Sequence, residues 1–345
     1  MPKTKTALPR RPNNRPTSYD VAELAGVSQS AVSRCFREGS SISPKTKAKV
    51  LKAARSLGYQ PNAMASGLMT NRTGLVAVLI SNLTNLYYPE VLSEITRRLS
   101  DRGYRVLLFA LEGESEVDAV LEQVWRYRVD GAVVAARLSP GQLSDFETRE
   151  VPVVLYNRVG DAKPVSSVSC DSHAGERELV DRLVAAGHQK FGIIAGPDDS
   201  YVGQIRVESA RERLGTHGFD ALVYRGGFDY DSGRKGFSEL FSESRKSLDA
   251  LICANDLMAI GAMDGARGEG LSIPEEISIV GFDGVAPAHW ESYKLTTVRQ
   301  PVRRMTDAAV SMIVERIERP DLPPEVRTFA GGLLEGRSAR LGDPL

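Results

Sequence analysis

From residue 74 onward, short apolar runs alternate with stretches whose apolar residues recur at helical spacing. Residues 75–80, 105–110, 131–135, 153–156, 191–195, 221–224, 250–254 and 277–282 read as strands. Segments such as 89–101, 115–128, 173–186, 203–217 and 256–268 read as the helices between them. Apolar strands alternating with helices predict parallel sheets covered on both faces. Eight strands at this spacing suit two open α/β sheets. Ligands of such sheets bind beyond the carboxyl ends of the strands, so two edges facing each other make a cleft.

The first 60 residues carry a different pattern. Thr17-Ser-Tyr-Asp-Val-Ala-Glu-Leu-Ala-Gly-Val-Ser-Gln-Ser-Ala-Val-Ser-Arg34 predicts two short helices around a turn at Gly26. Thr17 caps the first helix, with Asp20 in the third helical position as an acidic capping-box partner. Val21, Ala22, Leu24 and Ala25 give that helix an apolar side. Gly26 supplies the positive φ that ends it, and Ser28 caps the second helix. There Ala31, Val32 and Cys35 face inward, leaving Gln29, Ser30, Ser33 and Arg34 outward. A third helix is capped by Ser43, opens on Pro44 and stops at Gly58, with Val50, Leu51, Ala54 and Leu57 facing its neighbours. This is the layout of a helix-turn-helix, which places a helix in the major groove of DNA.

Charge sharpens the picture. The chain holds 44 basic and 44 acidic residues, but residues 1–73 contain thirteen Lys and Arg against three Asp and Glu. The head is therefore +10 and the remainder −10. A cationic end on an acidic body suits phosphate binding by that end alone. Cys35, Cys170 and Cys253 are far apart in the chain and form no ligand pattern, which implies buried thiols in a reducing compartment. No metal or cofactor is implied. No segment is long and apolar enough to span a bilayer, and no apolar leader opens the chain, so a cytoplasmic location is expected. Residues 1–16 are basic and rich in Pro and Asn, and read as a flexible arm. A phosphate-binding P-loop, a helical pair of His ligands and a Gly-x-Ser-x-Gly nucleophile elbow are all missing from the sequence, which argues against an enzyme. A transport solute-binding protein would share the body, but with an export signal and without the cationic head.

The residues then match a known pattern. Asp20-Val-Ala-Glu-Leu-Ala-Gly-Val-Ser28, Ala31-Val-Ser-Arg34, Leu57-Gly-Tyr-Gln-Pro-Asn62, Val129-Asp-Gly131, Gly187-His188, Gly196-Pro197, Ala254-Asn-Asp256, Val280-Gly-Phe-Asp283 and Leu295-Thr-Thr-Val-Arg-Gln-Pro301 occur in order. Along nearly its whole length the chain resembles the LacI-type family of bacterial transcription regulators. The resemblance implies a helix-turn-helix head over 17–60 and a hinge helix and linker over 61–73. It also implies a periplasmic-binding-protein-like body of two doubly wound parallel-sheet subdomains. Residues 74–171 with 299–325 would form the N-terminal subdomain, and 172–298 with 326–345 the C-terminal one. It further implies a homodimer on a near-palindromic operator, since protein symmetry is copied into the DNA site. No leucine heptad follows the body before Leu345, so no tetramer is expected.

Site residues follow from the same resemblance. On the second helix, Ser28, Gln29, Ser30, Ser33 and Arg34 face the operator. Gln suits adenine and Arg suits guanine by paired hydrogen bonds. Thr17, Tyr19 and Asn62 fall at phosphate-contact positions. Leu68 matches the leucine that wedges into the minor groove at the dyad, its plainer alternative being a linker residue. Tyr87, Tyr88, Asn157, Ser200, Val202, Arg206, Phe228, Asn255 and Asp283 match effector-binding positions. Arg206, Asn255 and Asp283 offer paired donors and acceptors for vicinal hydroxyls, and Tyr88 and Phe228 offer apolar walls, a set that favours a sugar or related polyol. Three plainer readings stand beside it. Arg206 and Asp283 pair with each other across the cleft, Asn255 caps the helix that begins at Asp256, and the aromatics are core or rim. A sugar acid or nucleobase is the alternative ligand, with Arg158 beside the cleft position as the candidate for an acidic group. Ser209 and Ala210 stand where the family often has a glycine and an aromatic, and Val202 replaces a commonly polar residue. Replacing Leu68 with Ala is expected to weaken operator binding and reduce DNA bending, checked by gel-shift bend analysis; unchanged affinity and bend would remove the wedge.

Overall fold

The computed structural model of the protein describes residues 16–36, 41–60, 72–160 and 163–343. The chain divides into two compact units, Met1–Thr73 and Gly74–Leu345. Asn62, Leu68 and the 61–68 hinge segment lie outside the described residues, as do residues 1–15 of the arm.

The first unit holds α1 (Ser18–Ala25), α2 (Gln29–Cys35) and α3 (Pro44–Leu57). Thr17 and Asp20 form a reciprocal capping box on α1. Gly26 closes that helix at φ 65°, a left-handed conformation that costs glycine nothing. Ser28 caps α2, and Ser43 caps α3 ahead of Pro44. Val21, Ala22, Val32, Cys35, Val50, Ala53 and Ala54 form the core. Leu24, expected on the apolar side of α1, is 56% exposed. At 100° per residue it stands roughly 100° from the centre of the Val21, Ala22 and Ala25 face. Leu51 and Leu57 are half-buried at the margin of the core.

The body opens with β1 (Leu75–Ser81), α4 (Tyr87–Asp101), β2 (Arg105–Leu111), α5 (Val117–Arg126), β3 (Gly131–Ala135), α6 (Pro140–Thr148), β4 (Val153–Tyr156) and β5 (Ser166–Asp171). It continues through α7 (Ser172–Ala185), β6 (Phe191–Ala195), α8 (Tyr201–Thr216), β7 (Ala221–Arg225), α9 (Tyr230–Glu243), β8 (Ala250–Cys253), α10 (Asp256–Gly268), β9 (Ser278–Asp283) and β10 (Thr296–Arg299). It ends with α11 (Val302–Glu318), β11 (Val326–Ala330) and β12 (Gly332–Leu334). The strands form two six-stranded sheets, ordered β2-β1-β3-β4-β5-β11 and β7-β6-β8-β9-β10-β12. All pairs are parallel except β10 with β12. The two lobes thus repeat one strand order, and each reverses direction between its first and third strands, where doubly wound sheets bind ligands.

In the first lobe successive apolar residues of one strand enter opposite faces of the sheet. Val76, Val78 and Ile80 of β1 join one core cluster with Val91, Ile95 and Leu99 of α4 and Ile313 of α11. Ala77 and Leu79, on the opposite face, pack with Val120, Leu121 and Val124 of α5 and Leu143 and Phe146 of α6. Full burial of each larger side chain contributes about 1.5–3 kcal/mol.

Four strands were not apparent as apolar runs: β5, β10, β11 and β12. They matter because the chain changes lobes beside them. It crosses after β5, again between Arg299 and α11, and a third time at Gly331 between β11 and β12. Two expected boundaries therefore move. Arg299 belongs to the second sheet through its pairing with Asp283. Val326–Ala330 pairs with Ser167–Asp171 in the first sheet and not in the second lobe. Backbone pairing with β5 captures β11 although its own side chains are half exposed.

Helices α9 and α10 meet backbone to backbone. A Cβ on Gly233 would lie 2.1 Å from the Met258 carbonyl, and one on Gly261 2.1 Å from the Tyr230 carbonyl. Gly233→Ala is expected to destabilise the body by at least the ~1–3 kcal/mol of ordinary overpacking, measured by urea unfolding. A smaller loss would mean that the two helices part freely.

Candidate functional site

Helix α2 carries most of the residues expected to face DNA. Ser30 and Arg34 are exposed and four residues apart, so they share one face, with Gln29 and Ser33 half-buried beside them. The Gln29 amide Nε2 donates to Ser18 Oγ at 3.2 Å, which fixes that side chain across the turn. Arg34 Nε donates to the Ser30 carbonyl at 3.4 Å. Ser28 accepts from the Ala31 amide at 3.2 Å and lies 2.9 Å from Ser30 Oγ, so its hydroxyl serves the cap. Thr17 is engaged with Asp20 through both its amide and its hydroxyl. Tyr19 is 72% exposed, with its ring free to reach a backbone. On α3, Lys45, Lys47, Lys49, Lys52 and Arg55 are all exposed.

The body contains a cavity lined by residues that follow the carboxyl ends of six strands. Asn82, Asn85, Tyr87 and Tyr88 follow β1; Asn157 and Arg158 follow β4. Ser200, Val202 and Arg206 follow β6, Phe228 follows β7, Asp283 ends β9 and Gln300 follows β10. Eight of the nine expected effector positions converge here. Asn255 does not line the cavity. Its Oδ1 accepts from the Met258 amide at 2.9 Å, capping α10, and its Nδ2 donates to the Phe228 carbonyl at 3.0 Å. Asn82, Asn85 and Gln300 join the lining without having been expected there; all three sit just past strand ends, and Gln300 also lies in the Leu295–Pro301 motif.

Backbone strain concentrates at this cavity. Asn82 (φ 55°), Asn157 (φ 54°), Phe228 (φ 63°) and Asp283 (φ 123°) are all non-glycine residues at positive φ. Each such residue costs on the order of 1–3 kcal/mol and persists only where its surroundings over-determine it. Here the fixing bonds are visible. The Asn157 amide donates to the Val168 carbonyl at 2.7 Å, and its Oδ1 accepts from the Cys170 amide at 3.3 Å. The Gln300 amide donates to the Asp283 carbonyl at 3.1 Å. Asn255 holds Phe228, whose ring lies so close to Gly196 that a Cβ there would be 2.3 Å from it.

Arg206 and Asp283 form the charged centre. Arg206 Nη2 meets Asp283 Oδ1 at 2.9 Å, with the two side chains 2% and 1% exposed. Both belong to the second lobe, so the pair does not bridge the cleft as the sequence reading allowed. Arg206 Nη1 donates to the Ala254 carbonyl at 2.6 Å, and its guanidinium carbon lies 3.9 Å from the centre of the Phe282 ring. Gln300 Nε2 donates to the same Asp283 oxygen at 2.7 Å. Burial raises the Asp283 pKa, opposed by Arg206, Gln300 and Asn85. Arg206 Nε, Asp283 Oδ2 and Gln300 Oε1 are buried and make no hydrogen bond of ordinary geometry. One donor and two acceptors therefore stand unused among the lining residues. Tyr87 and Tyr156 share a buried hydroxyl contact at 3.2 Å. The remaining free space is about 20 Å³. That is room for roughly one water molecule, so a larger ligand requires these side chains or the lobes to move. Among the described residues no group of His, Cys, Asp and Glu is arranged to hold a metal ion.

A three-helix unit of helix-turn-helix layout and a separate two-lobed unit with a strained polar cleft are the two parts of a DNA-binding transcription regulator. Residues 17–62 match the family model described as bacterial regulatory proteins, lacI family, and residues 180–339 match the periplasmic binding protein-like domain. The regulator CelR of Thermobifida fusca is 32% identical over 314 residues, covering 88% of this chain and 92% of its own. The ribose operon repressor of Escherichia coli (strain K12) is 29% identical over 329 residues, with 94% and 99% covered. The lac repressor dimer bound to operator and the anti-inducer ONPF superposes with a TM-score of 0.83 at 27% identity, over 94% of this chain and 99% of that one. A CelR–cellobiose complex superposes at 0.70 with 30% identity, over 94% and 100%. The chain belongs to the LacI family of bacterial transcription regulators. These relatives are regulators and not enzymes, and no helix among the described residues is long and apolar enough to cross a membrane.

Asn255→Ala is expected to cost about 1–3 kcal/mol, from the lost cap and the orphaned Phe228 carbonyl. Asn255→Asp keeps the cap acceptor but not the amide donor, so thermal unfolding of the two variants separates the contributions. Equal Tm values for both variants and the parent would show that neither bond matters.

Proposed function

We propose that this chain is a cytoplasmic, non-catalytic repressor. As a homodimer it reads a near-palindromic operator through Gln29, Ser30 and Arg34. A sugar or related polyol in the body cleft governs its hold on that site. The observation that carries the effector half is the cluster of unused donors and acceptors at Arg206, Asp283 and Gln300, beside the aromatic faces of Tyr88 and Phe228. Vicinal hydroxyls present donor and acceptor together, which is the complement of a guanidinium next to a carboxylate. Aromatic rings cover the apolar face of a sugar, and a few polar groups fix its orientation. The cellobiose bound to CelR and the ribose named for the Escherichia coli repressor belong to this chemical class. A sugar acid is the second reading, favoured by Arg158 in the lining.

Control follows from the small free space. A ligand that fits only when the cleft rearranges binds one lobe arrangement better than another. Its binding energy then biases the three lobe-crossing segments at Asp171, Arg299 and Gly331. Operator affinity and effector affinity are reciprocally linked, because both depend on the same equilibrium.

The test is a thermal-shift screen of the full chain against cellobiose, ribose, other sugars, polyols and sugar acids. A ligand at about 100 times its Kd adds roughly 2.7 kcal/mol to the stability of the state that binds it. One compound is expected to raise Tm and to change affinity for a duplex selected by the protein from random DNA. Asp283→Ala is expected to lose both responses to that compound while still binding the duplex. A screen in which no sugar, polyol or sugar acid shifts Tm would remove the effector reading, and a normal response in the variant would show that the cleft is the wrong site.

A further inference from the structure

Helix α3 carries five cations and no acid: Lys45, Lys47, Lys49, Lys52 and Arg55, all of them exposed. At 100° per residue Lys45, Lys49, Lys52 and Arg55 fall within about 120° of one another. They stand roughly 150° from the centre of the Val50, Ala53 and Ala54 face that enters the core of the head. The four thus form one stripe, about 15 Å long, on the side of α3 turned away from the core. Lys47 is outside the stripe, at the flank where its carbonyl accepts from Cys35 Sγ of α2 at 3.9 Å. The stripe is carried by a different helix from Ser30 and Arg34, the exposed pair of α2.

This arrangement is unfavourable within the helix, and nothing inside the head offsets it. Lys45 and Lys47 lie near the start of α3, where the positive end of the helix dipole repels cations. Lys45 with Lys49, Lys49 with Lys52, and Lys52 with Arg55 are like charges three or four residues apart, a spacing that destabilises a helix. Among the described residues none of the five cations forms an ion pair. The acids of the head among those residues are Asp20, taken up by the α1 capping box, and Glu23, also on α1. The body treats its cations differently. On α4, Arg97 meets Glu94 at 2.7 Å, and Arg98 meets the same carboxylate at 3.3 Å. Helix α2 brings one cation, Arg34, against the five of α3.

We propose that the stripe of Lys45, Lys49, Lys52 and Arg55 is a second DNA-binding surface, which holds the phosphate backbone of a duplex whatever its sequence. A row of cations without internal counter-ions is the complement of a backbone that presents a charge at every nucleotide, and neutralising that charge releases condensed counter-ions. Flexible stems ending in charge meet phosphates without reading bases. The occupant is the same duplex that the helix-turn-helix engages, since the chain belongs to a family of DNA-binding regulators. Helix α3 then supplies hold, and α2 is left to supply sequence. The inference depends neither on which bases α2 reads nor on any effector.

The experiment compares the full chain with Lys45→Gln/Lys49→Gln/Lys52→Gln/Arg55→Gln, in which Gln keeps the helix propensity of Lys and Arg. Binding to a random-sequence duplex, and to a duplex selected by the protein, is followed by fluorescence anisotropy over about 50 to about 200 mM salt. The slope of log Kobs against log [salt] is expected to become shallower by about 0.9 for each side chain that held a phosphate. Both duplexes should lose affinity by the same factor, because backbone contacts carry no sequence. Lys49→Gln/Lys52→Gln should lose about 1.8 of the slope, whereas Lys49→Arg/Lys52→Arg keeps both charges and the parental slope. Without DNA, the α3 amides of the fourfold variant should be better protected from hydrogen exchange than the parent's at low salt, and the gain should vanish as salt screens the repulsion. An unchanged slope, a loss confined to one duplex, or an Arg pair that behaves like the Gln pair overturns the proposal. Poorer protection of α3 on neutralisation overturns it too, since the cations would then serve the fold. The random-duplex arm needs no operator, so a failure of Gln29, Ser30 and Arg34 to read bases is seen separately.

Discussion

A guanidinium with 2% of its side chain exposed must be matched, and the cleft is organised around that requirement. Removing an ion from water costs several kcal/mol even after a protein relaxes around it. Arg206 meets the demand with Asp283, the Ala254 carbonyl and the face of Phe282. Three elements are thereby fixed relative to one another: α8, the end of β8 and the end of β9. Gln300, the first residue after the β10 strand and next to a lobe crossing, binds the same carboxylate. The charged centre is therefore joined directly to a segment where the chain passes between the lobes.

The strain around that centre follows from the same geometry. Four lining residues hold positive φ, among them Phe228, whose bulk makes the conformation costly. The strands behind them supply the stability that this requires, since each sheet is apolar on both faces and its ladder is complete except at the edges. Strand ends that leave the ladder turn sharply, and their side chains converge on the switch point. The cleft thus combines rigid walls with a few strained, polar turns.

Much of the site was legible before the fold was. Eight of the nine positions that the family resemblance implied line one cavity, and they do so because they stand at or beyond strand ends. Asn255 is the exception, and the reason is local: it precedes Asp256 at the start of α10, where an Asn side chain caps. Its second bond, to Phe228, depends on a loop 27 residues away in sequence. Asn82, Asn85 and Gln300 are ordinary polar residues in loops until the two sheets place them together. Glu176 reads as one more charged residue on an amphipathic helix. Only the neighbouring α8 and β9 reveal that its carboxyl is buried.

The sequence by itself determined what is local: the caps at Thr17, Ser28 and Ser43, the stops at Gly26 and Gly58, and the continuous apolar run of β1. It also determined the segregation of charge, which is a count. Tertiary structure alone decided which lobe each crossing strand joins. The Ser-Ser-Val-Ser-Cys-Asp stretch of β5 has no apolar run, yet it is buried because β4 and β11 pair with it on either side. Likewise Leu24 is apolar and exposed, and Glu176 acidic and buried. Hydrogen bonds between distant strands and the desolvation of a side chain are properties of neighbours, and neighbours exist only once the chain has closed on itself.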